Sequence, residues 1–325
     1  MEILWVNGQE VESILLMEEV VENVETAFRY HGLGQVEMPS KLYLYFKEHN
    51  GDLRVMPTYI PHLEQAGVKI VNVHPDNQPK GLPTVMGTYV LNDPSTGAPL
   101  AVMNATYLTD MRTGAAGGIA TKYLARKDSR VLGLIGSGRQ AVTQLLAASE
   151  VIDLERVLVS SRSFQHCEKF KKNMEEHIEA DIEICKTPEE ACRADIVTTT
   201  TPVREPVISD QWIEEGTHIN AIGADAPFKQ ELDSEILKRA KLVVDSWEQA
   251  SHSGEINVPL SRNEISRDNI YAELGEIVAG KKPGRESDEE ITVFDSTGLA
   301  IQDVVTASLV YKKAIDRSMG TKLKF

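Results

Sequence analysis

The chain has 325 residues, a net charge of -15, 42% hydrophobic residues and 26% charged ones. That length calls for two domains rather than one small core. The acidic surplus argues against nucleic-acid and anionic-membrane partners, which need a basic patch, and points to small-molecule work. Cys167, Cys185 and Cys192 are odd in number and lack CxxC spacing, so neither a disulfide framework nor a zinc site is indicated. The acidic N-terminus has no basic leader, and no apolar run approaches the roughly 18 residues of a membrane span, so a cytoplasmic location is expected.

In chain order, Val11, Ile14, Leu15, Val20, Val21, Val24 and Phe28 form a helical stripe that His31-Gly32 should stop. "KLYLYF" and "DLRVMPTYI" alternate like strands around the turn "EHNGD", and "GVKIVNVHP", "PTVMGTYVLND" and "LAVMNATYLTD" follow at regular spacing. The first third therefore reads as α+β, built on a mostly antiparallel meander. Near residue 113 the rhythm changes: "RTGAAGGIATKYLAR" is a helix rich in small residues, and strands then alternate with helices. The strands are "VLGLIG", "RVLVSS", "DIEICK", "DIVTTTT", "HINAIGA", "LVVDS" and "TVFDS"; "ELGEIVAG" is among the helices. Such alternation predicts an α/β domain with a doubly wound, Rossmann-type parallel sheet. "GLAIQDVVTASLVYKKAIDRSM" closes the chain as a long helix with a frayed basic tail.

Within the second region, Gly136, Gly138 and Ala141 spell G-x-G-x-x-A between a strand and a helix. The first glycine permits the tight turn, the second admits a pyrophosphate to the backbone, and the alanine lets helix and strand pack closely. Arg139 and Gln140 open the helix whose N-terminal amides would bind phosphate. Where the next strand ends, an acidic side chain would hold the ribose of NAD, but the chain has Ser160, Ser161 and Arg162. Hydroxyls beside a guanidinium suit the 2'-phosphate of NADP; alternatively the serines bind the ribose of NAD while Arg162 faces solvent. NAD or NADP is thus the expected cofactor, and Thr200, Gly223 and Ser296 complete the candidate set around it.

Outside that fingerprint, Lys69 lies in the apolar run "AGVKIVNV". Alternation favours an outward edge charge; the alternative is a desolvated amine ready for proton transfer. Asp225 follows the strand "HINAIGA", as a turn former or as a catalytic carboxylate at a strand's carboxyl end. Arg54 and Arg112 are candidates for holding an anionic substrate or the cofactor phosphates. His74 reads as a loop histidine, and no metal site is expected.

The segments "GVKIVNVHPDNQPKGLPTVMGTYVLNDPSTGAPLAVMNATYLTDMRTGAAGG", "GLIGSGRQA", "INAIGADAPFKQELD" and "FDSTGLAIQD" resemble the ornithine cyclodeaminase/mu-crystallin family, within it the archaeal alanine dehydrogenase branch. The resemblance implies a substrate-binding and dimerisation domain from residues 1–112 and 300–325 around a Rossmann domain at 113–299. It places Lys69 on the family's active-site lysine, Asp225 on its catalytic aspartate, and Arg112 at the cofactor and substrate interface. Arg54 stands where cyclodeaminases hold a glutamate for ornithine's second ammonium, which it should repel. Lys41 matches a lysine of the dehydrogenase branch, whereas Ser160 departs from the aspartate usual in both. The implied activity is reversible NAD(P)-dependent oxidative deamination of L-alanine by a homodimer. Ketimine reduction of the pyrroline-2-carboxylate type, ornithine cyclodeamination and mu-crystallin-like ligand binding are the alternatives.

Overall fold

The computed structural model describes residues 1–325, the side chain of Gln78 excepted. Two compact units form, one from Met1–Arg112 with Leu299–Phe325, the other from Thr113–Gly298. The first unit begins with β1 (Glu2–Val6), α1 (Gly8–Ile14) and α2 (Met17–Gly32). The stripe expected to be one helix is thus two. Asn7 and Glu10 close a capping box at the start of α1, and Leu15 and Leu16 are extended, so α2 starts afresh with Val20, Val21, Val24 and Phe28 buried. A meander follows in β2 (Leu42–Phe46), β3 (Gly51–Ile60), β4 (Gln65–Val73), β5 (Val85–Asn92) and β6 (Pro99–Asn104), antiparallel throughout. The last strand is shorter than its apolar pattern suggests. The Asn104 side chain accepts from the Thr106 amide at 3.0 Å, and α3 (Thr106–Leu124) begins there.

The second unit alternates as its sequence does: β7 (Val131–Ile135), α4 (Arg139–Val151), β8 (Arg156–Ser160), α5 (Phe164–Met174), β9 (Asp181–Ile184), α6 (Pro188–Ala191) and β10 (Ile196–Thr199). Then come β11 (His218–Ala221), α7 (Ser234–Arg239), β12 (Lys241–Val244), α8 (Trp247–Ser253), α9 (Asn257–Ser261), β13 (Ile270–Glu273), α10 (Leu274–Val278) and β14 (Thr292–Asp295). The eight strands form one parallel sheet in the order β13-β12-β14-β11-β10-β7-β8-β9. All four residues of β10, β11 and β14 are buried, as a sheet covered on both faces requires. Sequence reading missed β13, α8 and α9, which are short and lack a sustained period.

The chain then returns to the first unit with α11 (Ala300–Asp316) and β15 (Thr321–Lys324). The expected frayed tail is a strand, because β1 offers it an open edge: Glu2 pairs with Lys324 and Trp5 with Thr321. The sheet of this unit runs β15-β1-β6-β5-β4-β3-β2, with β1 and β6 parallel.

Candidate active site

In the first unit, Lys69 sits mid-strand in β4 and is completely buried. Alternation pointed it outward, but the face it shares with Val71 is the one covered by α11. Its amine donates to Asp303 Oδ1 on α11 at 2.7 Å. Arg112 Nε of α3 lies 2.9 Å from the same oxygen, and Arg112 Nη1 donates to Gln302 Oε1 at 2.8 Å. Burial, with Arg112 next, brings the Lys69 amine down to about 7, against the upward pull of Asp303. At neutral pH such a lysine both accepts and donates protons, as acid–base catalysis requires.

Sequence reading missed Asp303, Gln302 and Tyr89. Tyr89 on β5 is the cross-strand neighbour of Lys69, and burial, then the Asp303 charge, raises its phenol well above the ordinary range. Its hydroxyl, Asp303 Oδ2 and Gln302 Nε2 are buried with no hydrogen-bond partner among the described residues. Gly67 makes room for this ring: a Cβ there would lie 2.5 Å from the Val90 carbonyl and 2.7 Å from the phenol oxygen. Arg54 on β3 is buried, pairs with Asp52 through Nε and Nη2 at 2.9 and 3.2 Å, and lies over the Tyr43 ring. The pair offsets the cation, which weakens the case that Arg54 alone repels a second ammonium. Lys41 is half-buried just before β2, close enough to lower the Lys69 amine further.

In the second unit, Gly136 directly follows β7 at φ 116°, and a Cβ there would lie 2.3 Å from Thr200 Oγ1. A Cβ on Gly138 would meet nothing within 4 Å, so the backbone at the start of α4 is open to a ligand. Gly138 is the N-cap of this 13-residue helix and brings no side-chain cap to it. The helix dipole and the amides of the first turn, where Arg139 and Gln140 stand, are therefore disposed towards an anion. Beside them, Ser137 donates to the Ser161 hydroxyl at 3.1 Å, and Ser161 to the Ser163 carbonyl at 3.0 Å. Ser160 is buried, while Arg162 is exposed. This strand end carries no carboxylate to exclude a 2'-phosphate.

Beyond β10 and β11, one buried carboxylate organises the loops. Glu231 accepts from Thr199 Oγ1 at 2.8 Å, from the Thr201 amide and hydroxyl at 2.6 and 2.7 Å, and from the Gly223 amide at 2.7 Å. The loop it ties carries Asp225, whose carboxylate is 2.5 Å from Lys229 Nζ. Phe228, between Asp225 and Lys229's neighbour Gln230, is 71% exposed at φ 67°. The Ser296 hydroxyl after β14 is buried with no partner among the described residues. No cluster of three His, Cys, Asp or Glu side chains fit for a metal occurs among the described residues.

The sequence matches the model of the ornithine cyclodeaminase/mu-crystallin family over residues 3–318. The chain belongs to this family. A relative from Archaeoglobus fulgidus, named alanine dehydrogenase, is 54% identical over 326 residues, covering 100% of this chain and 99% of its own. Among solved structures, an archaeal alanine dehydrogenase dimer with bound NAD shares 54% identity over 100% of both chains, with a TM-score of 0.96. The Thermococcus litoralis Delta(1)-pyrroline-2-carboxylate reductase, in complex with NADH and L-proline, also superimposes at 0.96, with 45% identity over 98% of this chain and 99% of that one. Family membership accounts for both halves of the layout, the parallel-sheet unit with its glycine turn and the meander that buries a lysine.

Proposed function

We propose that this family member is an NAD(P)-dependent oxidoreductase that interconverts L-alanine with pyruvate and ammonia. The buried Lys69, poised near 7 beside Asp303, carries this reading, and the full-length likeness to an alanine dehydrogenase supports it. The open turn at Gly136–Gly138, the uncapped start of α4 and the buried hydroxyl of Ser296 fit a dinucleotide, with Thr200 and Gly223 on neighbouring strand ends. When bound, that cofactor supplies hydride acceptance and return. Arg54, with Lys41, would clamp the substrate carboxylate, Asp52 fixing the guanidinium's direction. Arg112 would add positive charge beside them. Lys69 takes the proton released as the amine becomes an iminium, and returns it in reductive amination. Asp225 is assigned to orienting and polarising the attacking water.

Steady-state rates with pyruvate plus ammonia, and separately with 1-pyrroline-2-carboxylate, each with NADH and NADPH, test the reading. Turnover of pyruvate plus ammonia is expected, and its absence overturns the assignment. Faster reduction of the cyclic imine establishes the second reading, favoured by the likeness to the pyrroline-carboxylate reductase. For the cofactor, Arg162→Ala should weaken NADPH about tenfold and NADH little, the effect of one charge-assisted contact; equal losses return Arg162 to a surface role. A dimer is also proposed: Leu42, Leu44 and Tyr45 stand exposed on the sheet's edge strand β2, where a second copy would cover them. A purified chain that sediments as a monomer removes this part.

A further inference from the structure

Asp303 gives one oxygen, Oδ1, to two cations, Lys69 at 2.7 Å and Arg112 at 2.9 Å, while Oδ2 is buried without a hydrogen-bond partner among the described residues. The groups facing this point come from several elements. β4 brings Lys69, β5 the Tyr89 phenol, α3 Arg112, and the segment before β2 the charge of Lys41. β3 contributes the neutral Met56 as Lys69's cross-strand neighbour, and the buried faces of α1 and α2 are apolar. Further along the same face of β3, Asp52 is taken up by Arg54, so among the described residues Asp303 is the anion paired with both Lys69 and Arg112.

We infer that Asp303 is the positioning residue for Lys69, aiming its amine and, by sharing one oxygen with Arg112, keeping a paired carboxylate whichever protonation state the lysine holds. The inference rests on the acid–base role proposed for Lys69. A lysine on four rotatable bonds has no fixed direction of its own, and donation to Oδ1 fixes one N–H while leaving the other positions of nitrogen for the reacting group. A buried aspartate whose only partner was Lys69 would be left an isolated charge on each deprotonation, at a high desolvation cost. Arg112 stays charged throughout and removes that cost. Two opposed electrostatic pulls follow: Asp303 favours the ammonium and Arg112 the free amine.

Titration of Lys69 in the full-length protein tests this without depending on turnover. Lysine labelled at Cε with carbon-13 reports each amine by NMR, and loss of one signal in Lys69→Met assigns it. In Asp303→Asn the Lys69 midpoint should fall by about one pH unit or more, the usual effect of a neighbouring charge. In Arg112→Gln it should rise by a similar amount. Wherever the enzyme turns over, the limb of the kcat profile that needs the free amine should move the same way. Should Asp303→Asn fail to fold, Arg112→Gln decides alone. A Lys69 midpoint that stays put in the folded variants, or moves in one direction in both, overturns the inference. Opposite shifts in an enzyme inactive on pyruvate plus ammonia would uphold it and reject only the substrate.

Discussion

The two units bury charge in opposite ways. The first surrounds one carboxylate, Asp303, with the cations of Lys69 and Arg112. The second buries Glu231, Glu255 and Asp295, and supplies backbone amides and threonine hydroxyls in place of cations. Glu255 accepts from the Glu231 and Leu232 amides, and Asp295 from the Ile256 amide. Neutral donors hold a charge less firmly than a counterion does. Burial, with Asp245 adding repulsion, accordingly pushes Asp295 up to about 8, and Glu255 also lies well above the carboxylate range. One unit thus holds a buried amine against a counterion, and the other holds buried carboxyls with neutral donors from its loops.

The strongest way to break this contrast is Lys69→Met. Turnover should fall by about 10²- to 10⁴-fold, the weight of a general acid–base, while the thermal midpoint rises because a buried amine is gone. The lysine's proton affinity is lower in the fold, about 7 against 10.5 unfolded, so its cost is full below pH 7 and fades as pH rises to 10.5. The gain in midpoint should shrink over that window, and a gain independent of pH would show that Lys69 is not desolvated.

Glu231→Ala comes next. Left without their acceptor, the Thr201 and Gly223 amides and two threonine hydroxyls should cost about 3 kcal/mol in denaturant unfolding. The loop bearing Asp225 loosens with them. A loss below about 1 kcal/mol would mean that water replaces the carboxylate and that the network is not closed.

Asp295→Asn probes the other sign. The folded carboxyl keeps its proton to about 8 and the unfolded one loses it near 3.8, so wild-type stability falls with pH across that interval. The asparagine variant should lose this slope and unfold at a higher temperature than wild type at pH 8 and above. Parallel curves would place Asp295 in contact with solvent.

The smallest effect belongs to Phe228→Gly. A bulky residue at φ 67° carries about 1–3 kcal/mol of strain, against roughly 0.5–1 kcal/mol of extra chain entropy for glycine. A net stabilisation of about 1 kcal/mol is expected, read from the same unfolding curves. A loss instead would show that the exposed ring is held by contacts of its own.

Local sequence patterns exposed the second unit well, because G-x-G-x-x-A and alternating strands and helices are local and the sheet is covered on both faces. Family likeness, visible in continuous segments, pointed to Lys69. The direction of Lys69 was hidden: an alternating strand has two faces, and the one that is buried depends on a helix carrying Asp303, 234 residues away. Glu231 was hidden for a different reason, since acceptors of backbone amides leave no charge partner to find in the sequence. Strands β1 and β15 escaped notice because each is half of a pair that only the folded sheet brings together, and β15 is exposed along its whole length.

That last pairing separates the fold from the order in which its parts are strung. The Phe325 amide donates to the Met1 carbonyl at 3.0 Å, so the two ends of a unit that is interrupted in sequence meet on the outer strands of one sheet. A short linker across them, with new ends opened in the exposed turn between Asp93 and Ala98, would string α11 and its aspartate ahead of the strand that bears Lys69 without disturbing a buried residue. What the buried Lys69 needs from the chain is Asp303 within reach, and that proximity is set by the sheet and helix rather than by their order along the chain.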